Sequence, residues 1–219
     1  MTGMACLAFA SAAFVGTHFL LSHPLRQPLV ARMGLGPFQG LYSLVALVTF
    51  GAMIWVYGRI GDQPPLWDAG EAGWIVATFL MFIGSILFVG SFFGNPVLPG
   101  ARLERGKVAG GVFAITRHPM MWGFALWAIT HIIVVATPKA LLFDGAILFL
   151  ALAGSVGQDR KKAKLMGERF HEWTAQTAFI PFGRGFANPG TVALIGGTAL
   201  FLLATWLHPF PAGIWRWIG

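Results

Sequence analysis

The fold is decided at Ile115-Thr116-Arg117-His118-Pro119-Met120-Met121-Trp122-Gly123, where a basic, polar sequence leads directly into an apolar run. Proline suits the first turn of a helix, because its missing N–H would have no partner there anyway. We therefore predict a helix that begins at Pro119, with Arg117 and His118 at the membrane surface. His131 follows 12 residues after Pro119, about 18 Å along the helix axis. That depth is near the middle of a bilayer core about 30 Å thick, where an ionisable residue indicates a functional site.

The composition is that of a membrane protein. Of the 219 residues, 56% are hydrophobic and 11% are charged, whereas soluble domains carry about 25% charged residues. We expect one integral membrane domain over residues 1–219, with the lipid bilayer as its main partner. Cys6 is the only cysteine, which excludes an internal disulfide and a multi-cysteine metal site. We attribute the formal charge of +7 to loops that face anionic lipid, and we expect no nucleic-acid partner.

Six apolar segments predict an all-α membrane bundle of about six transmembrane helices, given that each span needs about 20 residues. The segments are 4–21, 38–57, 73–93, 119–136, 140–156 and 191–207. Asp144 is expected in the first turn of the fifth helix, where a carboxylate complements the helix dipole. Residues 158–176 combine many charges with apolar residues at helical spacing, which is typical of an amphipathic helix on a membrane surface. The tryptophans near the C-terminus predict an aromatic anchor at the interface.

The basic residues predict the orientation. With six spans, the first, third and fifth loops lie on one side of the membrane. These loops hold 12 of the 15 Lys and Arg residues: Arg26, Arg32, Arg102, Arg105, Lys107, Arg117, Arg160, Lys161, Lys162, Lys164, Arg169 and Arg184. By the positive-inside rule, that side is the cytoplasm. We therefore expect an inner-membrane protein of a bacterium, with both termini and Arg59, Lys139 and Arg216 on the periplasmic side.

Two histidines are candidate ligands. His131 has two interpretations, a core histidine hydrogen-bonded to its surroundings or a metal ligand. His18, near the end of the first segment, is its natural partner, although its position alone favours an interfacial residue whose ring reaches the headgroups. Two histidines from separate helices can hold a haem iron axially in an apolar bundle.

Arg117 and His118, which we call the polar mouth, are expected to complete this haem site at the membrane surface. His118 cannot share an iron with His131 on one straight helix, because 13 residues correspond to about 20 Å of rise. We assign it to the polar end of the cofactor site, where Arg26 or Arg117 could pair with a haem propionate. His23, His171 and His208 are expected at interfaces, without a ligand role.

These motifs resemble the NnrU family, which includes the plant and cyanobacterial 15-cis-zeta-carotene isomerase. The resemblance is carried by the stretch quoted first, by Trp127-Ala128-Ile129-Thr130-His131, by Asp159-Arg160-Lys161 and by Ile180-Pro181-Phe182. At the N-terminal end it is carried by His18, Arg26, Gly34 and Leu41-Tyr42-Ser43-Leu44. It implies a multi-span membrane protein. In the isomerase branch, two histidines hold a b-type haem, and a cis double bond of an apolar carotene becomes trans.

Individual residues match the isomerase branch to different degrees. His131 matches the second haem ligand and His18 the first. Ala128 stands where that branch has a cysteine. The bacterial members are associated with denitrification, which implies an alternative role as a non-enzymatic membrane factor that supports nitrite and nitric oxide reduction.

A second resemblance is to the membrane methyltransferases that modify isoprenylcysteine or phospholipid. Arg117-His118-Pro119 with Gly123, and later Gly167, Phe170 and Pro181, are similar to their motifs. These enzymes hold S-adenosylmethionine with an Arg-His-Pro-x-Tyr-x-Gly motif and a Glu-Glu pair. Here Met121 replaces the tyrosine, and Gln158-Asp159 stands in place of the Glu-Glu pair. We interpret this likeness as a related fold more than as methyl transfer.

Overall fold

A computed structural model describes residues 2–95, 106 and 108–218 of the chain. Its regular secondary structure is helical, apart from one isolated bridge between Gly183 and Gly185. The helices are α1 (Gly3–Ser22), α2 (Arg26–Met33), α3 (Leu35–Arg59), α4 (Gly70–Gly90), α5 (Val112–Ile115), α6 (Pro119–Val135), α7 (Pro138–Met166), α8 (Glu168–Gln176), α9 (Thr191–Trp206) and α10 (Trp215–Ile218). Among the described residues, α1, α3, α4 and α7 are long and apolar enough to span a membrane.

A helix occupies most of each of the six predicted apolar segments, and α6 begins at Pro119 as predicted. Two of these helices are short. The 17 residues of α6 and the 16 residues of α9 correspond to about 25 Å of rise each, less than a bilayer core of about 30 Å. The described part of this membrane protein is therefore all-helical with four candidate spans, and the count of six stays a prediction.

Residues 158–176 do not form one surface helix. The polar residues after Val156 continue α7 to Met166, because nothing in that stretch breaks a helix. Gly167, at φ +54, separates α7 from α8 in a backbone conformation that favours glycine. Phe170 and Trp173 of α8 are 4% and 2% exposed, and they pack in a protein core, whereas the prediction placed this apolar face on lipid.

Asp144 also differs from its prediction. Since α7 begins at Pro138, Asp144 lies in the second turn, beyond the terminal amides that a helix dipole argument requires. Its side chain is 4% exposed. Asp144 is therefore a buried residue of an apolar helix, and its carboxyl group does not interact with the dipole at the helix N-terminus as predicted.

The chain divides into two compact units, each described by itself. The first comprises Met1–Asp68 and Val135–Leu150. Its helices α1 and α3 run antiparallel, since Ser22 donates to the Tyr42 hydroxyl at 3.3 Å near one end and Gly3 approaches Ile60 at the other. The start of α7 is fixed by Lys139, whose ammonium donates to the Ile60 carbonyl at 2.9 Å.

The second unit comprises Ala69–Val134 and Ala151–Gly219. Its core is formed by buried side chains from α4, α5, α6, α8 and α9, namely Ile86, Leu87, Val112, Phe113, Ile115, Leu126, Phe170, Trp173 and Ala193. Helix α9 approaches α4 so closely that a Cβ at Gly197 would lie 2.5 Å from Cα of Ile86. Gly123 of α6 gives a similar approach, with Phe88 Cβ 2.9 Å away. Small residues at these crossings let the backbones pack closely, as is common in membranes. Whether the whole chain forms the single predicted domain stays a prediction.

Candidate functional site

His131 lies in the second unit, four residues before the end of α6. Its Nδ1–H donates to the Trp127 carbonyl at 2.8 Å, and its ring lies 4.2 Å from the Trp127 ring, centroid to centroid. Because Nδ1 carries the proton in this bond, Nε2 keeps its lone pair. The imidazole is therefore held in the tautomer that can ligate a metal through Nε2.

His18 lies in the first unit, four residues before the end of α1. Its Nδ1–H donates to the Phe14 carbonyl at 2.7 Å, and its ring lies 4.4 Å from the Phe14 ring. The Tyr42 ring covers another side, with its centroid 5.4 Å away. Nε2 is again the nitrogen with the free lone pair.

The two histidines thus share one local arrangement. In each, an aromatic residue precedes the histidine by four positions and accepts its Nδ1–H at the backbone carbonyl. The aromatic ring also contacts the imidazole, edge-on in Phe14–His18 and tilted in Trp127–His131. A histidine that ligates a metal nearly always donates its other ring N–H to a carbonyl or a carboxylate, which fixes the ring orientation. Both predicted ligands meet this condition within their own units.

Arg26 is the first residue of α2 in the first unit. Its guanidinium lies over the Phe38 ring, 6.0 Å from the centroid. A cation held over an aromatic face keeps its N–H edges available for an anion. Arg26 therefore retains the donors that a carboxylate partner needs.

Arg117 and His118 are brought together by Asp159, a residue of α7 in the same unit. Arg117 donates from Nε and Nη2 to Oδ2 of Asp159 at 2.9 and 2.7 Å. His118 donates from Nε2 to Oδ1 at 2.7 Å. The Arg117–His118–Asp159 cluster joins the N-terminal end of α6 to the C-terminal half of α7. Arg117 has thus committed its fork of donors to a protein carboxylate.

Burial decides the charge of His118, whose side chain is 3% exposed. Loss of hydration lowers the pKa of His118, although the hydrogen bond to Asp159 acts in the opposite direction. At neutral pH the contact is therefore a hydrogen bond from a neutral imidazole to a carboxylate. Arg117 supplies the positive charge of the cluster.

The segment after α8 encloses the same cluster. The Arg117 amide donates to the Ala178 carbonyl at 2.9 Å, and the Thr116 hydroxyl donates to the Phe179 carbonyl at 2.7 Å. Trp122 donates from its indole N–H to that same Phe179 carbonyl at 2.8 Å. These bonds fix the backbone at the entrance to α6, so the predicted polar mouth is a rigid, internally bonded structure.

One residue close to His131 was not predicted. His208, two residues beyond α9, has its ring 6.1 Å from the His131 ring, centroid to centroid. No sequence pattern indicates that His208 lies near His131, because only the return of the chain after α9 brings His208 to α6. His171, which was also predicted to have no ligand role, is exposed.

Arg102, Arg105 and Lys107 of the third loop lie outside the described residues. Within the described residues, no group of three or more His, Cys, Asp or Glu side chains is arranged to hold a metal ion. Haem ligation does not require such a group, because two axial imidazoles suffice.

Comparison with known proteins gives a consistent result. The 15-cis-zeta-carotene isomerase of Arabidopsis thaliana chloroplasts is 27% identical over 159 residues, which are 68% of this chain and 42% of that protein. The chloroplastic enzyme of the same name from Zea mays is 26% identical over 136 residues, or 60% and 34%. The chain spans less than half the length of these curated relatives. No solved structure matches the chain.

The methyltransferase likeness has no counterpart among these matches and stays a prediction. A family model described as "NnrU protein" matches residues 6–216. Because that match covers nearly the whole sequence, the chain belongs to the NnrU family.

Proposed function

We propose that this chain is a haem b-binding membrane protein that isomerises a cis double bond of an apolar polyene. Its similarity to two proteins named 15-cis-zeta-carotene isomerase supports the reaction class. The observation that carries the cofactor proposal is the shared arrangement of His131 and His18, in which a backbone carbonyl takes the Nδ1–H and leaves Nε2 as a ligand. The nitrogen-oxide role has no observation of its own here and stays a prediction from the family resemblance.

Two features of this chain support the cofactor proposal. His131 and His18 each offer an imidazole nitrogen of the required tautomer, and each belongs to an apolar helix of its own unit. When bound, haem would supply one-electron chemistry that no side chain provides. The protein would hold the iron, keep water away and admit an apolar substrate.

Arg26 is the better candidate for a propionate partner. Arg117 already donates to Asp159 through Nε and Nη2, whereas Arg26 contacts the Phe38 ring through its face. An arginine fork matches the two oxygens of a carboxylate. We therefore assign a propionate to Arg26, and we assign Arg117 and His118 to the structure of the polar end.

An absorption spectrum of the full-length protein purified in detergent tests the cofactor proposal. We expect a Soret band with close to one haem per chain after expression with adequate haem supply. A protein that is folded by thermal unfolding, yet shows no Soret band even after haem is added, would contradict the proposal.

The reaction is tested separately. The haem-loaded protein is incubated with a cis-polyene hydrocarbon in detergent, and the isomers are separated by chromatography. We expect the trans isomer to accumulate with wild-type protein and not with His131→Ala. Equal conversion with the two proteins, or none with fully haem-loaded wild type, would overturn the isomerase assignment.

We also propose an inner-membrane location with both termini in the periplasm. Its support is the predominance of Lys and Arg in alternate loops. A reporter fused after Gly219 that is active only in the periplasm is expected, and activity only in the cytoplasm would reject this orientation.

A further inference from the structure

Asp144 places a carboxyl group inside the apolar first half of α7. The residue is 4% exposed, and Ala140 and Ile147, which share its face of the helix, are 1% and 8% exposed. Among the residues that the structure describes, none forms a hydrogen bond or an ion pair with the Asp144 side chain. The first unit therefore buries a carboxyl group for which its own described side chains provide no partner.

Lys139, the basic residue closest to Asp144 along α7, does not neutralise it. The Lys139 ammonium donates to the Ile60 carbonyl at 2.9 Å and to the Gly61 carbonyl at 3.3 Å, and it lies 5.0 Å from the centroid of the Tyr57 ring. Five residues along a helix turn the side chain by about 140°. Lys139 is thus directed to the end of α3, and its charge is satisfied there.

A carboxyl group in this position is most stable as the neutral acid. An isolated carboxylate loses far more hydration free energy on burial than a hydrogen bond supplies, so such a group takes up a proton instead. The neutral acid has an O–H to donate and a carbonyl oxygen to accept. An ionisable residue inside a membrane-spanning helix indicates a functional site, and a proton is the smallest ligand that this one can bind and release.

Tyr57 of α3 adjoins both Asp144 and the start of α7. Its hydroxyl interacts with the side chain of Thr137, the residue before α7, and it also feels the charge of Asp144 electrostatically. Asp144 lies about 7.5 Å along the helix axis from Lys139, whose ammonium reaches the exposed Gly61 carbonyl. A polar hydroxyl therefore stands near the buried carboxyl group on the side where α7 meets water.

We propose that Asp144 is a proton-binding site, a neutral carboxylic acid that exchanges its proton with water at the start of α7 by way of the Tyr57 hydroxyl. The titratable groups on that side are Tyr57 and Lys139, and α1, the other long helix of the unit, carries Cys6 and His18. The site gives the first unit a proton donor and acceptor within its apolar part.

Dicyclohexylcarbodiimide, an apolar reagent that requires a protonated carboxyl group, tests the site on the full-length protein in detergent. The carboxyl O–H adds across one C=N bond of the reagent, and the acyl group then migrates from oxygen to nitrogen, so a stable N-acylurea forms without loss of atoms. At neutral pH, we expect peptide mass spectrometry to find the label on Asp144. Asp159, whose carboxylate is paired with Arg117, should stay unlabelled.

Asp144→Asn should lose this label. Label on the exposed Asp62 with none on Asp144 in the wild-type protein would overturn the proposal, and this result needs no variant.

Infrared spectra of the haem-free protein test the exchange. We expect the carbonyl band of a protonated carboxyl group, which is absent in Asp144→Asn and shifts in D₂O. Tyr57→Phe should keep the band and slow its shift several-fold. Tyr42→Phe, which changes the other tyrosine of α3 near the opposite end of that helix, is the matched control and should exchange like wild type.

Thermal unfolding of each variant establishes that it is folded. A carboxyl band that persists unchanged in folded Asp144→Asn would overturn the proton site, and equal exchange rates in Tyr57→Phe and Tyr42→Phe would overturn the route past Tyr57. Neither measurement requires haem, so both results leave the haem proposal standing.

Discussion

Oδ2 of Asp159 accepts two hydrogen bonds from Arg117, from Nε at 2.9 Å and from Nη2 at 2.7 Å, and this pair fixes the entrance of α6 to the end of α7. Both side chains are largely buried, at 15% and 19% exposure. The two bonds converge on one carboxylate oxygen, and charge-assisted hydrogen bonds of this kind are stronger than neutral ones. The rigid part of the polar end is therefore an internal ion pair with His118 bound to its other oxygen.

Asp159→Ala should destabilise the protein by about 2–3 kcal/mol. Removal of one partner leaves the Arg117 charge unpaired, which costs about 3–5 kcal/mol at a fully buried site, and partial exposure reduces that figure. Thermal unfolding in detergent measures the change. Glu168→Ala, which removes an exposed carboxylate at the start of α8, is the control and should change little. Equal stability of the two variants would show that the pair contributes nothing.

Stability should fall as the pH drops through the range where an unfolded histidine titrates. Burial lowers the pKa of His118 in the folded protein, so below about pH 6.5 the unfolded chain binds more protons than the folded chain. The stabilisation is thus complete above that pH and is lost below it, by up to about 1.4 kcal/mol per pH unit.

The contribution of His118 is isolated by His118→Gln, which removes the titration. Melting temperatures at pH 7.5 and 5.5 should differ less in this variant than in wild type. The exposed His171→Gln is the control, with the wild-type dependence. An unchanged pH dependence in His118→Gln would mean that another group dominates.

Gly197→Ala should destabilise the second unit by about 1–3 kcal/mol, the usual cost of overpacking. The new methyl group would lie 2.5 Å from Cα of Ile86, so α9 would have to move away from α4. Gly145→Ala in α7 meets nothing within 4 Å and should stabilise by about 0.5–1 kcal/mol through helix propensity. Thermal unfolding of both variants measures these changes in stability. A Gly197→Ala protein at least as stable as Gly145→Ala would contradict the close packing of α9 on α4.

Arg26→Gln should weaken haem binding by about 10–100-fold, because a hydrogen bond to a charged group contributes about 1.5–3 kcal/mol. Arg59 provides the control, since its guanidinium also lies over an aromatic ring, 4.7 Å from the centroid of Trp55. Haem titrations of Arg26→Gln and Arg59→Gln should differ accordingly. Equal affinities would remove the propionate assignment.

The sequence predicts those features that depend on local chemistry. Pro119 marks the start of α6 because its ring and missing N–H suit a first helical turn. The long apolar runs predict a helix at each of the six segments, and the structure has one at each. The boundary at residue 158 was wrong because polarity alone does not end a helix, and α7 continues until Gly167 adopts a positive φ.

The parts of the site that depend on tertiary structure were beyond prediction. Arg117 and Asp159 are 42 residues apart in sequence, and no local sequence pattern predicts the hydrogen bonds between them. His208 was assigned to an interface because it follows a helix end and precedes proline. This local sequence does not indicate that His208 lies near His131. The burial of Phe170 and Trp173 was missed for a related reason, since an amphipathic pattern suits a protein core as well as a lipid surface.

The coordination of haem iron by His131 and His18 is tested most directly by the absorption and electron paramagnetic resonance spectra of the purified protein and its histidine variants. Wild type should show a six-coordinate, low-spin haem, as two imidazole ligands require. His131→Ala and His18→Ala should each lose most of the haem or shift to a five-coordinate, high-spin spectrum, whereas His171→Ala should match wild type. A folded His131→Ala protein with wild-type haem content and an unchanged low-spin spectrum would contradict the assignment.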